Sequence, residues 1–581
     1  MEYRNKSKGY PKCDPPLRLL NSKGEDLLSN NPIRDTIRFI KQGKIVAIKG
    51  LGGFHLVCEA EKEEAIRVLR KRKSRPHKPF AIMVKDIEIA KILAYISKEE
   101  EQILLSNKRP ILILNKIEPS ILPDIIAPHS KKIGIMLPYT SFHHLLFSQD
   151  ISSLIMTSGN VSGGPIQYAD EKAISYLRNI TDYFLIHNRD INIPMEDSVV
   201  KVMDNVEVVI RIARGYTPYT INMQVNNEIL AFGAEQKNTF CLSQNGYGYM
   251  SQYLGDLKDY DAYTTYEKTI DNLTELLNFK PNILAFDLQS RYPCLQYPKY
   301  QSKRKVAVQH HHAHMVSCMV EQNLINPVIG VVFDGTGLGT DETIWGGEFL
   351  VGTRKSFDRV GHLKYVSIQG GDQAIKEPWR IALSYLHSMK YDASKVLKGI
   401  DKEEINMVTQ ALDKNINCFR TSSMGRFFDC VSSLLNLCQR ITYDGQAAIE
   451  LENIINPSIK EGYEYHIINK DNIYQIDYKS IILGVLRDIE NKIYSDDISS
   501  KFHNTIGNAT VDLVCRIGKR YEMKQVVLGG GVFQNDYLLL YVLEKLRERG
   551  FTVYYNQQIP INDSGISVGQ LAIADAIEGK G

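Results

Sequence analysis

Three times between Ile229 and Asp536 an aliphatic run breaks into glycine: "ILAFGAEQKN", "IGVVFDGTGLGTD" and "VVLGGGVFQND". A strand that ends in glycine lets the backbone turn sharply and bring its N–H groups close to a phosphate. Repeated at so wide a spacing, the pattern restricts residues 228–581 to two related α/β subdomains facing across a cleft. Upstream, "KIVAIKGLGG" is another strand running into glycines. It follows a helix start, with Asn31 as N-cap and Pro32 at the first helical position. Strands such as "PFAIMV", "RPILILN" and "SSLIMTSGN" then alternate with helical stretches as far as "VVIRIARGYTP". Residues 32–218 therefore predict a separate α/β domain, joined to the second through a polar hinge, "YTINMQVNNE". Residues 1–31 are polar and irregular.

Composition narrows the class. The 581 residues are 43% hydrophobic and 24% charged, with a formal net charge of +3. That is an ordinary globular mix, too balanced for a global nucleic-acid-binding field. No apolar run reaches the roughly 20 residues that span a bilayer. The opening "MEYRNKSKGY" lacks the apolar core of a secretory signal. Nine cysteines without a CxxC pair fit neither a disulfide scaffold nor a cysteine zinc site. We expect a cytoplasmic protein that binds neither membrane nor nucleic acid.

The chemistry concentrates in "VAVQHHHAHMVSCM", where four of the 14 histidines fall within five positions. His310 and His314 are one helical turn apart and project from one face, the geometry that offers two nitrogens to one metal ion. No glutamate lies between them as in the HExxH peptidases. Such a site needs oxygen ligands. Asp334 and Asp563, each placed at a strand end or turn, complete a His-His-Asp-Asp set, although either alone reads as a turn aspartate bonding its own backbone.

A basic run, "RVLRKRKSRPHKPFAIMV", holds Arg67, Arg70, Lys71, Arg72, Lys73, Arg75 and Lys78. Most of these charges fit a solvated helix face. The run passes straight into a strand, however, so some of them point toward the top of the sheet, where they would clamp phosphate oxygens. Aromatics for stacking nucleic-acid bases are missing. Ser158 and Asn160, in "LIMTSGNVSGGPI", form a second wall of such a pocket.

With these motifs in place, the chain resembles the HypF hydrogenase-maturation carbamoyltransferases. "IVAIKGLGGFHLVCEA", "LRKRKSRPHKPFAIMV", "IGIMLPYTSFHHLLF" and "TSGNVSGGPI" are similar to the YrdC-like domain of that family. "GAEQKNTFCL", "SQYLGDL", "VQHHHAH", "FDGTGLGTDETIWGGEF", "GGDQAIKEPWR", "SSMGRFFDCVSSLL", "YDGQAAIELE" and "LGGGVFQN" are similar to its actin/hexokinase-like ATPase-fold domain. The resemblance implies a two-step reaction. In the first domain carbamate attacks ATP, with Mg2+, to give carbamoyl adenylate and pyrophosphate, Lys73, Arg75, Ser158 and Asn160 matching the nucleotide site. The adenylate then passes through an internal cavity to the second domain.

There, His310, His314, Asp334 and Asp563 match the ligands of one divalent metal, iron or zinc. Lys237, Gly335, Gly530 and Gly531 support phosphates, and Asp429 and Glu450 grip the ribose. The acceptor implied is the C-terminal cysteine of HypE, with His311 (or His312) as base toward its thiol. The family's N-terminal acylphosphatase-like and zinc modules have no counterpart here beyond "YPKCDPPLRLL" with its lone Cys13, so residues 1–31 read as a remnant of the zinc module and linker. Carbamate, or carbamoyl phosphate as its source, would then come through a separate acylphosphatase unless the chain is a truncated product. Gln289 and Ser564 stand where the resemblance leads us to expect histidine and glycine. Two other readings are an O-carbamoyltransferase acting on a small-molecule hydroxyl, which the domain order disfavours, and a non-catalytic protein that binds HypE or nucleotide.

Overall fold

The computed structural model describes residues 16–147, 151–161, 163–289 and 298–579. Cys13 lies outside them. The chain divides into two compact units, one of Met1–Lys201, Ala213–Tyr216 and Leu254–Thr269, the other of Val202–Ile212, Thr217–Tyr253 and Ile270–Gly581.

The first unit is built on a mixed sheet. Its strands are β1 (Leu17–Asn21), β2 (Val46–Lys49), β3 (Phe54–Glu59), β4 (Ala81–Val84), β5 (Ala94–Tyr95), β6 (Ile111–Lys116), β7 (Lys132–Met136), β8 (Ser153–Ser158), β9 (Tyr183–His187) and β10 (Val199–Met203). They run in the order β1-β9-β2-β3-β8-β4-β7-β6-β10, with β5 beside β6. Every residue of β2 and β3 is buried, as in strands covered on both faces. Ile40, Val46, Val57, Met83, Met156 and Leu185 form part of the core. Helix α1 (Pro32–Lys41) starts as its sequence predicts, with the Asn31 side chain accepting the Arg34 N–H at 3.0 Å. Helix α2 (Glu63–Lys73) carries acids in its first turn and bases in its last, matching the helix dipole.

Three expectations change. Leu17–Asn21 is not irregular linker but an antiparallel partner of β9. The apolar "LRLL" run gains burial there, placing Leu19 and Leu20 in the interior. The expected hinge is also a strand, Tyr219–Val225, paired with Gly246–Met250. Ile221, Met223 and Val225 alternate inward, a period-2 pattern that its polar residues mask. Third, Asp334 does not end its strand. The strand runs Val328–Leu338, and its register shifts between Phe333 and Gly337, so the glycines accommodate a bulge.

The second unit carries two sheets. One orders Tyr219–Val225, Gly246–Met250, Cys241–Gln244, Ile229–Ala231, Ile283–Asp287 and Arg304–Val308. The other runs from His466–Lys470 through Ile473–Asp477, Phe357–Leu363, Ile344–Gly352, Val328–Leu338 and Gln525–Gly529 to Thr552–Tyr555. Helix His310–Glu321 packs against helix Ile566–Glu578. Their contact is backbone-close: a Cβ at Gly569 would lie 2.0 Å from the Ala313 carbonyl oxygen. Among the described residues no helix is long and apolar enough to cross a membrane.

Candidate functional site

The helix that presents the histidines is capped by Gln309, whose side-chain Oε1 accepts the His312 N–H at 2.8 Å. That cap fixes the first turn, so His310 and His314 face the same way. Asp334 arrives from the bulged strand and Asp563 from a single 3-10 turn just before helix Ile566–Glu578. One ligand atom from each of the four residues lies within 4.8 Å of the others. His310 Nε2 is 3.3 Å from Asp334 Oδ2 and 3.9 Å from Asp563 Oδ1. His314 Nε2 is 3.8 Å and 3.7 Å from the same two oxygens. His314 Nε2 is buried without a hydrogen-bond partner. An orphaned imidazole nitrogen facing two carboxylates is the arrangement a cation completes, and two nitrogens with two oxygens suit a divalent transition metal.

Electrostatics agrees. Burial pulls the pKa of His310 down, but Asp287, Asp334 and Asp563 outweigh it and raise it well above the ordinary value. His314 shifts up in the same way, through Asp334 and Asp563 against burial. Without a cation, protons on the imidazoles supply the positive charge that the carboxylates demand.

Asp287, which the sequence reading missed, ends the strand Ile283–Asp287 and sits 2.6 Å from His310 Nδ1. The signal was present: "ILAFD" closes on an aspartate as "VVFD" does. Gln289 bonds Asp287 through its backbone N–H at 3.0 Å, a contact independent of its side chain.

The flanking residues fall into place unevenly. Gly531 N–H donates to Asp334 Oδ1 at 3.1 Å. Gly530 has φ +91°, and a Cβ there would meet the Phe333 carbonyl oxygen at 2.3 Å, so no larger residue fits. Lys237 pairs through Nζ with Asp444. Burial lowers its pKa, but Asp444, Asp563 and Asp334 raise it further than burial lowers it. Ser564 donates to the Lys237 carbonyl at 2.6 Å, tying that lysine's loop to the Asp563 turn. Gly335 leaves room for the Arg426 guanidinium, which lies 3.0 Å from Asp429. Burial raises the Asp429 carboxyl to about 6 against the pull of Arg426. Glu450 accepts from Gln446 at 2.8 Å and makes no contact with the four gathered ligands.

Neither neighbouring histidine suits the expected role of base. His311 is fully buried. The Gln309 amide donates to its Nδ1 at 3.0 Å, and burial pushes its pKa down to about 3. His312 is held by the Thr353 carbonyl at 2.8 Å and pushed down by burial to about 4. Burial weakens both rings as acceptors of a thiol proton.

In the first unit Lys73, Ser158 and Asn160 meet. Lys73 is fully buried. Its ammonium donates to the Ser158 carbonyl at 2.6 Å, the Asn160 carbonyl at 2.6 Å and Asn160 Oδ1 at 2.5 Å. Ser158 Oγ also donates to Asn160 Oδ1 at 3.0 Å. Lys73 thus fixes the loop after β8 rather than projecting into open space. Arg75 lies 4.9 Å over the Phe80 ring and bonds the Lys78 carbonyl at 3.2 Å. Arg70, expected on the helix face, is buried and bonds the carbonyls of Ile125, Ile126 and Arg75.

Comparison with known proteins extends this picture. Family models match at residues 38–213 ("Telomere recombination", the Sua5/YciO/YrdC family), 224–321 ("HypF Kae1-like domain") and 330–570 ("Carbamoyltransferase, Kae1-like Domain, second subdomain"). The carbamoyltransferase HypF of Synechocystis is 36% identical over 96% of this chain and 74% of its own length. The probable carbamoyltransferase HypF of Methanocaldococcus jannaschii is 33% identical over 94% and 73%. A crystal structure of full-length HypF in a phosphate- and nucleotide-bound form superposes with a TM-score of 0.94 at 42% identity, covering 98% of this chain and 75% of that one. HypF of T. kodakarensis gives a TM-score of 0.91 at 34% identity, covering 97% and 75%. The fold is accordingly a YrdC/Sua5-like domain followed by Kae1-like subdomains. Such identity over nearly the whole chain, with the domains in the same order, makes this protein a carbamoyltransferase and a member of the HypF family.

Proposed function

We propose that this chain uses ATP to activate carbamate and transfers the carbamoyl group to the C-terminal cysteine of HypE, serving maturation of the [NiFe]-hydrogenase cyanide ligand. In the first unit a carbamate oxygen attacks the α-phosphorus of ATP, with Mg2+ on the phosphates. The new O–P bond forms as pyrophosphate leaves, giving carbamoyl adenylate. Arg75 offers a guanidinium to the phosphates, while Lys73 holds Ser158 and Asn160 in the geometry that orients the attack. The nucleotide-bound relative supports ATP as the cofactor.

In the second unit, His310, His314, Asp334 and Asp563 would hold one divalent ion, iron or zinc. When bound, that ion supplies Lewis-acid polarisation of the carbamoyl group. Gly530 and Gly531 form the glycine turn that would lie against a phosphate, with the Gly531 N–H shared with Asp334, Lys237 adds positive charge nearby, and Asp429 and Glu450 are the carboxylates offered to the ribose. The convergence of the four ligands carries this reading. Its test is a mass assay on HypE incubated with the chain, ATP and carbamoyl phosphate, with and without an added acylphosphatase. A carbamoyl mass shift supports the proposal. His310→Ala should abolish the shift and leave ATP/pyrophosphate exchange intact, and loss of both activities together would sink the separation of steps.

A further inference from the structure

A second buried polar cluster in the first unit joins His55, Asp197 and Arg214. His55, on β3, pairs directly with Ser158 on β8, and opposed residues of an antiparallel pair share one face of the sheet. His55 therefore stands beside the loop that Lys73 fixes. It is only 5% exposed, and its Nε2 lies 2.9 Å from Asp197 Oδ2. Asp197 cannot turn away. Its other oxygen accepts from Arg214 Nε at 2.8 Å, and Arg214 is pinned by the Lys108 and Arg109 carbonyls at 3.1 and 2.7 Å. The guanidinium also lies 3.5 Å over the Tyr139 ring.

This clamp decides which His55 nitrogen is free, and what it can do. Burial opposes the charge on Asp197, but the bonds from His55 and Arg214 keep it ionised. An ionised carboxylate only accepts, so Nε2 carries a hydrogen and Nδ1 is the ring nitrogen left to meet a ligand. That Nδ1 is buried with no hydrogen-bond partner. It faces Gly50, where a Cβ would come within 3.2 Å of it. His143 nearby leaves both ring nitrogens unpartnered as well. Buried ring nitrogens left without partners, side by side, call for a polar ligand.

Resting on the adenylate-forming reading, we propose that His55, oriented by Asp197, reads the small acid that attacks ATP, its Nδ1 accepting a hydrogen from a donor group attached to the carboxylate carbon. Carbamate offers N–H and bicarbonate offers O–H at that position. Acetate offers only a methyl group and leaves the nitrogen bare. A buried acceptor discriminates strongly against an analogue that lacks the donor.

The test is ATP/pyrophosphate exchange by the intact chain driven by carbamate, bicarbonate or acetate. Expected are a wild-type order of carbamate or bicarbonate well above acetate, and a rise of roughly tenfold or more in the KM for the preferred acid in His55→Gln, the size of one lost hydrogen bond. The KM for ATP should stay unchanged and the discrimination against acetate should narrow. Gly50→Ala leaves the His55–Asp197 pair intact and crowds Nδ1, so it should act in the same direction even if His55→Gln folds poorly. Exchange in wild type with an unchanged acid KM in both variants, or a parallel rise in the KM for ATP, overturns the assignment of His55. Absence of exchange in wild type with every acid instead overturns the adenylate reading beneath it.

Discussion

Asp287 holds His310 from behind: its carboxylate lies 2.6 Å from Nδ1, so Nε2 is the nitrogen turned toward Asp334 and Asp563. A carboxylate behind a metal-binding imidazole fixes its tautomer and raises its basicity. Asp287→Asn should therefore weaken binding of zinc or ferrous iron by about 10- to 100-fold while sparing ATP/pyrophosphate exchange. Titration with a competing metal chelator reads the first quantity, and an unchanged affinity would contradict the role given to Asp287.

Metal binding should strengthen as pH rises. In the metal-free protein the carboxylates raise the pKa of both His310 and His314, so each must give up a proton before it can ligate. Protons compete most at acid pH, and the competition fades as pH climbs through the raised values. Zinc titrations across pH 6 to 9 (roughly the span around an ordinary histidine) should show affinity growing upward, with protons released. A flat profile would mean that the two imidazoles are already neutral.

Lys73→Met keeps much of the side-chain volume and removes the ammonium. The Ser158 and Asn160 acceptors it bonds would be left buried. A net stability loss of about 2 kcal/mol follows from unsatisfied acceptors, offset in part by relief of burying a charge. Urea unfolding measures it, and exchange activity should fall with the loosened loop. Transfer of preformed carbamoyl adenylate, which uses the second unit, should survive.

Gly569→Ala places a methyl group against the Ala313 carbonyl. The two helices must separate or the backbone must shift, at a cost of roughly 3 kcal/mol. Because Asp563 lies just before one helix and His310 begins the other, metal occupancy should fall alongside the unfolding midpoint. Metal analysis of the purified variant checks this directly.

The sequence exposed whatever was local. His310 and His314 sit at helical spacing, Asp334 and Gly530 follow aliphatic runs, and Asn31 precedes Pro32, so period and turn chemistry sufficed. What it concealed depended on partners far along the chain. Asp287 looks like any strand-end aspartate until the fold sets it beside His310. Tyr219–Val225 hid its alternation among polar residues until pairing with Gly246–Met250 made sense of it. Arg70 looks like a surface charge because nothing near it in sequence announces that the Ile125 and Ile126 carbonyls will receive it. His311 has an ordinary imidazole's promise on paper, and only the packing around it removes that promise.

The four gathered ligands lie on segments from His310 to Asp563, and the residue that steadies the first of them is Asp287. A ribosome must therefore translate most of the second unit before a cation can find its full set of donors. Until Asp563 emerges, the growing chain has imidazoles without their last carboxylate. On the proposed reading, metal capture would be an event of late synthesis, and a chain stalled before that point would lack a complete site.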